Sequence, residues 1–217
     1  MALTLYAHPF SSFCQKVLMA LWENDVAFTY RHLEDAGVAE ERAELWPFGK
    51  FPVLVDDGMI VAESTIIIEH LELHHPGPVR LLPEDRVAAL EVRFMDRFFD
   101  TYVMAVMQKP VSVALHASGE AVADAVAEAA RNLDVAYTWL EERLVDRAWA
   151  AGGDFGKADC AAAPALFYAD WVHRIGPGFP RLRRYREQLL RRPSFARAVE
   201  EGRPYRHYFP LGAPDRD

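Results

Sequence analysis

Cysteine is scarce in this chain: only Cys14 and Cys160 occur among 217 residues, far apart and in unlike surroundings. A disulfide framework is therefore not expected, and a reducing cytoplasm is the natural compartment. Positive charge is in deficit as well. The formal net charge of −8 and a pI near 5.5 speak against a general nucleic-acid surface. Arg181, Arg183, Arg184, Arg186, Arg191 and Arg192 crowd one late segment and read as the solvated face of a helix. No apolar run reaches the roughly 18 residues that cross a bilayer, and Met1–Tyr6 reads as a strand rather than a basic leader. The expectation is a soluble, cytoplasmic protein with no membrane and no nucleic-acid partner. Neither a G-x-G-x-x-G phosphate or dinucleotide loop nor a G-x-S-x-G nucleophile elbow is present. Eight histidines occur, His74 and His75 adjacent, but without His-x₃-His spacing on an apolar face or a Cys/His cluster, so no metal is assigned.

What the chain does have is enough apolar material for a large core, 51% of its residues. The first quarter alternates types. Leu3–Ala7 reads as a strand, Phe10–Trp22 as a helix, Ala27–Arg31 as a strand, and Ala39–Leu45 as a charged, helical connection. Phe51–Val55 and Met59–Val61 read as a hairpin around Asp57-Gly58, followed by an apolar helix over Thr65–Leu73. This β-α-β-α-β-β-α order makes an α/β layer of thioredoxin-like type. After His74-His75-Pro76-Gly77-Pro78 and Pro83 no convincing strand follows. Phe94, Phe98, Tyr102 and Val106 form one helical column and Met95, Phe99, Val103 and Met107 another, with Arg93, Asp96, Arg97 and Asp100 on the other side. Pro110 is expected to bend or end that helix, and Asp159–Val172, apolar nearly all round, to be a core helix. The fold class is thus α/β plus all-α, with residues 1–77 as one domain and 84–217 as a helical bundle.

Two segments carry chemistry. In Phe51-Pro52-Val53 a proline opens a strand, and Glu63-Ser64 opens the next helix, whose free amides suit a peptide-like anion. In His8-Pro9-Phe10-Ser11-Ser12-Phe13-Cys14, a strand runs into a helix that begins at the serines. Ser11 or Ser12 can cap that helix by accepting an amide hydrogen bond. The same geometry lets a hydroxyl donate to a thiolate, whose charge the helix dipole also favours. Cys14, one turn in, reads as a packing residue rather than a redox thiol.

These motifs and the element order resemble the cytosolic glutathione S-transferase family over essentially the whole chain, in a bacterial-like form with a serine motif similar to the theta and zeta classes. The resemblance implies that Pro52 follows a cis bond and that the Phe51 backbone pairs with the cysteinyl part of glutathione. It also implies that Glu63 and Ser64 hold the γ-glutamyl group, that Lys50 reaches the glycine carboxylate, and that Ser11, with Ser12 as the alternative, stabilises the thiolate. The implied activity is detoxifying transfer of glutathione, as co-substrate, to a small hydrophobic electrophile. Isomerisation, dehalogenation or peroxide reduction on the same site, or a catalytically weak binding protein, are the alternatives. The second substrate is expected in a cleft for which Phe10, Phe13, Phe99, Tyr102, Val103 and Val106 are candidates. A homodimer is implied, in which Asp96 or Asp100 reaches toward the neighbouring γ-glutamyl amine. The sequence departs from the family at Trp46-Pro47, where Asn-Pro is usual, and at Gly156, where the capping box of the core helix usually has Ser or Thr.

Overall fold

The computed structural model describes residues 3–217. Strand β1 (Leu3–Ala7) buries Leu3, Leu5 and Ala7 and leaves Thr4 and Tyr6 half-covered, the period-two alternation of a strand with one face on a core. On one side β2 (Thr29–His32) pairs with it in parallel. On the other β3 (Val53–Asp56) pairs antiparallel, and β4 (Met59–Ala62) pairs antiparallel with β3, so the sheet order is β2-β1-β3-β4. The ladder of β3 starts at Val53, later than the expected Phe51, because Pro52 has no amide to give it. Asp57 and Gly58 both have positive φ, 46° and 89°, as the tight hairpin turn between β3 and β4 requires.

Helix α1 (Ser12–Glu23) is buried without a break from Cys14 to Leu21, because it lies between the sheet layer and the helical domain, packing on α3 (Ser64–His74), α7 (Lys157–Val172) and α9 (Pro193–Gly202). The short α2 (Val38–Leu45) joins β2 to β3. The thioredoxin-like order expected from the sequence is the one observed.

The helical domain begins with α4 (Arg86–Phe98), capped by Asp85, whose carboxylate accepts from the Ala88 amide at 2.8 Å. A π-helical turn over Phe99–Met104 leads straight into α5 (Ala105–Ala114). Pro110 does not end that helix, which runs on to Ala114. Met107, Pro110 and Val111 are buried along one face, so packing carries the turn past the lost backbone bond. Helix α6 (Glu120–Arg143) packs on α5, and α8 (Pro180–Leu190) and α9 close the bundle before a 3₁₀ turn over Arg203–Tyr208.

The centre of the bundle is α7, buried from Lys157 to Asp170. Its glycine cap has a steric reason. A Cβ on Gly156 would stand 3.1 Å from the Leu81 carbonyl, to which the Lys157 amide donates at 2.8 Å. The chain leaving the sheet layer thus presses on the start of α7, and Asp159 keeps the reciprocal half of the capping box by accepting from the Gly156 amide at 2.9 Å. Its other oxygen accepts from the Ala150 amide and the Tyr185 hydroxyl.

The expected charged side of α4 is only partly wet. Arg93 and Arg97 are exposed, but Asp96 is 2% exposed and faces inward. The two apolar columns also part company. Met95, Phe99 and Val103 are core, whereas Phe94 and Tyr102 are 45% and 55% exposed.

Candidate active site

The loop between β1 and α1 is shaped by its own backbone and by side chains from α1 and α7. The Ser11 amide donates to the His8 carbonyl at 3.0 Å, closing a turn through Pro9 and Phe10. Gln15 donates to the Pro9 carbonyl at 2.9 Å, and the Tyr168 hydroxyl donates to the Phe10 carbonyl at 2.9 Å. Gly202 of α9 lies against the same loop, where a Cβ would meet the Pro9 carbonyl oxygen at 3.2 Å. Ser11 is the N-cap of α1, extended in backbone, and its hydroxyl oxygen accepts from the Cys14 amide over a long 3.4 Å. Ser12 is the first residue of the helix.

Cys14 is wholly buried, and burial pushes its thiol up to about 12. Such a group is a poor nucleophile, in keeping with the packing role.

At the other wall of the site the Phe51–Pro52 bond is cis. Glu63 precedes α3 with φ 70° and ψ 118°, a strained conformation for a residue with a side chain. Its carbonyl accepts from the Ile67 amide at 2.8 Å, while its carboxylate makes no capping bond and lies exposed. Ser64, directly after it, is buried.

Two adjoining cavities gather these residues. The larger, about 450 Å³, is lined by Phe10, Ser11, Ser12, Phe13, Lys50 and Phe51 from the sheet layer. From the helical domain and the C-terminal segment come Met107, Gln108, Val111, Ser112, Tyr168, Tyr208, Phe209 and Pro210. The smaller, about 220 Å³, is lined by Phe13, Trp46, Lys50, Phe51, Pro52, Glu63 and Ser64. All seven residues expected at the site therefore face one or both cavities. Trp46, the departure from the family pattern, forms part of the smaller wall.

The cleft expectation needs correction. Phe10 and Phe13 line the larger cavity, but Phe99 and Val103 are core, and Tyr102 and Val106 line a separate groove with Trp139 and Val135. Both four-residue columns run on through the π turn: Phe98, Tyr102 and Val106 share that groove, while Met95, Phe99, Val103 and Met107 stay buried. Met107, Gln108, Val111 and Ser112 occupy the wall instead. Tyr168 and the Tyr208-Phe209-Pro210 segment were not legible in the sequence, since only tertiary folding brings them to the loop at Ser11.

Asp96 of α4 and Asp100 of the π turn are held by side chains of their own chain. Lys16 of α1 lies between them, 2.7 Å from Asp96 and 2.8 Å from Asp100, and also donates to Thr65 at 2.9 Å. Thr65 in turn donates to Asp96 at 2.7 Å. Buried Lys157 adds a contact to Glu69 at 2.5 Å, and Arg93 grips the same Glu69 carboxylate. Two buried lysines thus hold Asp96 and Asp100 inward, and Thr65, directly after Ser64, ties the start of α3 to the helical domain.

A further set of side chains borders the larger cavity. His8 accepts from the Phe10 amide through Nδ1 at 3.2 Å, which leaves Nε2–H to donate to Glu34, also at 3.2 Å. Tyr208 donates to the same carboxylate at 2.8 Å, and His32 meets Tyr205 at 3.1 Å. Burial lowers the His8 pKa from its ordinary value, and the array ties the C-terminal segment to the connection after β2.

The model of the glutathione S-transferase N-terminal domain matches residues 5–79, and that of the C-terminal domain matches residues 94–193. The chain is 24% identical over 204 residues to a stringent starvation protein A homolog of Haemophilus influenzae, covering 93% of this chain and 92% of that one. It is 25% identical to a probable maleylacetoacetate isomerase of Caenorhabditis elegans, over 92% of this chain and 94% of that one. Its fold matches a delta-class glutathione transferase of Nilaparvata lugens with a TM-score of 0.83 at 20% identity, over 96% of this chain and 99% of that one. With the sheet layer and the helical bundle both matched, in that order, the chain belongs to the glutathione S-transferase family of enzymes.

Proposed function

We propose that this protein joins the sulfur of glutathione to a small apolar electrophile, as a cytoplasmic homodimer whose sheet domain, residues 1–77, holds glutathione and whose helical domain, residues 84–217, holds the electrophile. One observation carries the reading: the recess of Glu63 and Ser64 opens beside a larger cavity that has Ser11 on its wall. The tripeptide fits this pair of spaces by its chemistry. Its γ-glutamyl amine meets the exposed Glu63 carboxylate, and its γ-glutamyl carboxylate meets the Ser64 hydroxyl and amide at the start of α3. The Phe51 backbone pairs with the cysteinyl unit, and the Lys50 ammonium takes the glycine carboxylate.

Ser11 can cap α1 and hold a thiolate at once. Its oxygen accepts from the Cys14 amide through one lone pair, and its hydroxyl proton, which the buried Cys14 sulfur can also accept, is able to turn to a thiolate in the cavity. A thiol with pKa near 8.5 needs a drop of roughly two units to be mostly ionised at pH 7, about 2.7 kcal/mol. One hydrogen bond to a charged group together with a helix dipole is of that size. Beyond this, the wall of Phe10, Phe13, Met107 and Val111 positions an apolar partner against the sulfur.

The dimer reading rests on Phe94, Phe98, Tyr102 and Trp139, a half-open apolar strip on α4, the π turn and α6. A monomeric mass by light scattering at micromolar concentration would reject it. The activity is tested by titrating glutathione calorimetrically and then assaying conjugation to a panel of aromatic and alkyl halides. Saturable heat and a thioether product are expected, and no heat overturns the reading. Similarity to the probable maleylacetoacetate isomerase supports a second reading, isomerisation on the same site, in which glutathione is recovered unconsumed.

A further inference from the structure

Toward the C-terminal end of α3, away from Glu63 and Ser64, three side chains converge that the transferase chemistry does not use. Asp56 is the last residue of β3, His70 lies on α3, and His75 is the C-cap of the same helix. Both imidazoles bring Nε2 to one oxygen, Asp56 Oδ2, at 2.8 Å for His70 and 2.7 Å for His75. The three candidate donor atoms all lie within 4.8 Å of one another. The side chains are 10%, 15% and 12% exposed for His70, His75 and Asp56, so the cluster is sheltered but has a way in for an ion and a fourth, water ligand.

We propose that Asp56, His70 and His75 form a binding site for a divalent transition cation of the Zn²⁺ type. Two imidazoles and one carboxylate are the donor set that suits zinc and its neighbours and not calcium or magnesium, which take oxygen. Metal–ligand bonds of ~2.0–2.2 Å in tetrahedral array place donor atoms ~3.3 Å apart, so the present contacts need to open by only about half an ångström. All three ligands stand on or at the end of regular elements, which keeps that opening small and the ligand directions fixed. The cation would clamp the β3–β4 hairpin to the C-terminal end of α3.

A second cluster, of His8, His32 and Glu34, sharpens the choice. There the Nδ1 atoms of both histidines accept from backbone amides, those of Phe10 and Glu34. The ring protons must therefore sit on Nε2, and a metal at Nε2 would force an N–H against an N–H. Among the described residues no backbone amide donates to the rings of His70 or His75, so each can present the Nε2 lone pair once its proton moves to Nδ1 or is released. The sequence hid the site because its third ligand comes from another strand and its histidines are five apart.

Co²⁺ is the probe, titrated without glutathione into the full chain after chelator treatment. The expected result is a visible d–d absorption that saturates at one equivalent, is displaced by Zn²⁺, and is weakened tenfold or more in His70→Gln and in His75→Gln. His74→Gln should leave it unchanged, although the exposed His74 ring lies only 4.4 Å from that of His70. Zn²⁺ should also raise the thermal midpoint of the wild-type chain and shift the Nε2 resonances of His70 and His75, a readout that needs no variant to fold. Absence of a one-equivalent Co²⁺ signal, or wild-type affinity in the His70 or the His75 variant, or resonance shifts at other histidines, overturns the proposal.

Discussion

Lys16 on α1 and Asp96 on α4 form an ion pair of 2.7 Å with side chains only 1% and 3% exposed, at the junction between the sheet layer and the helical bundle. Asp100 and Thr65 complete the lysine's partners. Removing one member of such a group strands the others without compensation, which costs about 3–5 kcal/mol. Lys16→Met should therefore lower unfolding stability by that amount in urea titration. The double variant Lys16→Met/Asp96→Leu should lose less than the sum of the two single changes, since the second removes a charge the first left stranded. Strict additivity would show that the pair does not act as a unit.

Ser11→Ala should lower conjugation turnover by one to two orders of magnitude while shifting glutathione affinity much less, because the hydroxyl acts on a charge developed at sulfur. The thiol pKa of bound glutathione, followed by thiolate absorption against pH, should rise in the same variant. Helix capping alone would cost stability, about 1 kcal/mol, and leave that pKa in place. If Ser12→Ala gives these effects and Ser11→Ala does not, the roles of the two serines are exchanged.

Much of this molecule was legible in its sequence because local signals and tertiary outcome agree. Asp57-Gly58 is a hairpin turn, Pro52 stands before the β3 ladder, and Ser11 is an N-cap. Where the reading failed, the cause was non-local. The inward turn of Asp96 depends on Lys16 and Lys157, lysines from two other helices. The cavity wall from Met107 to Ser112 exists only once α5 faces the loop at Ser11 across the cavity, which no local pattern marks. Tyr208 and Phe209 reach the site from the opposite end of the chain.

Cys14 should be inert in the folded protein. Burial holds its thiol up to about 12, and burial likewise raises Cys160. A disulfide reagent at pH 8 should titrate no thiol in the native chain and two after denaturation. The linkage has a definite sign. Between the ordinary value of 9.0 and about 12 the unfolded chain has released the Cys14 proton that the folded chain still holds. Stability should then fall as pH rises through that interval, and Cys14→Ala should flatten the fall. Rapid native labelling of Cys14, with loss of activity, would instead place a reactive thiol at the site.

Glu63→Gln isolates the charge that the γ-glutamyl amine would meet. The substitution keeps side-chain length and a β-carbon at the strained φ of 70°, so the backbone demand is nearly unchanged. A charge-assisted hydrogen bond contributes about 1.5–3 kcal/mol, and replacing it by a neutral one forfeits roughly half, about a four- to twelve-fold rise in glutathione Kd. Turnover at saturating glutathione should change little, because the amine is remote from sulfur and is held equally in ground and transition states. S-methylglutathione, which has no thiol to ionise, should lose affinity by the same factor. Unchanged affinity for both ligands would remove Glu63 from the binding site. A larger loss for glutathione than for its S-methyl form would mean that Glu63 acts on the thiolate, through the chain of contacts between the two cavities, and not on the amine.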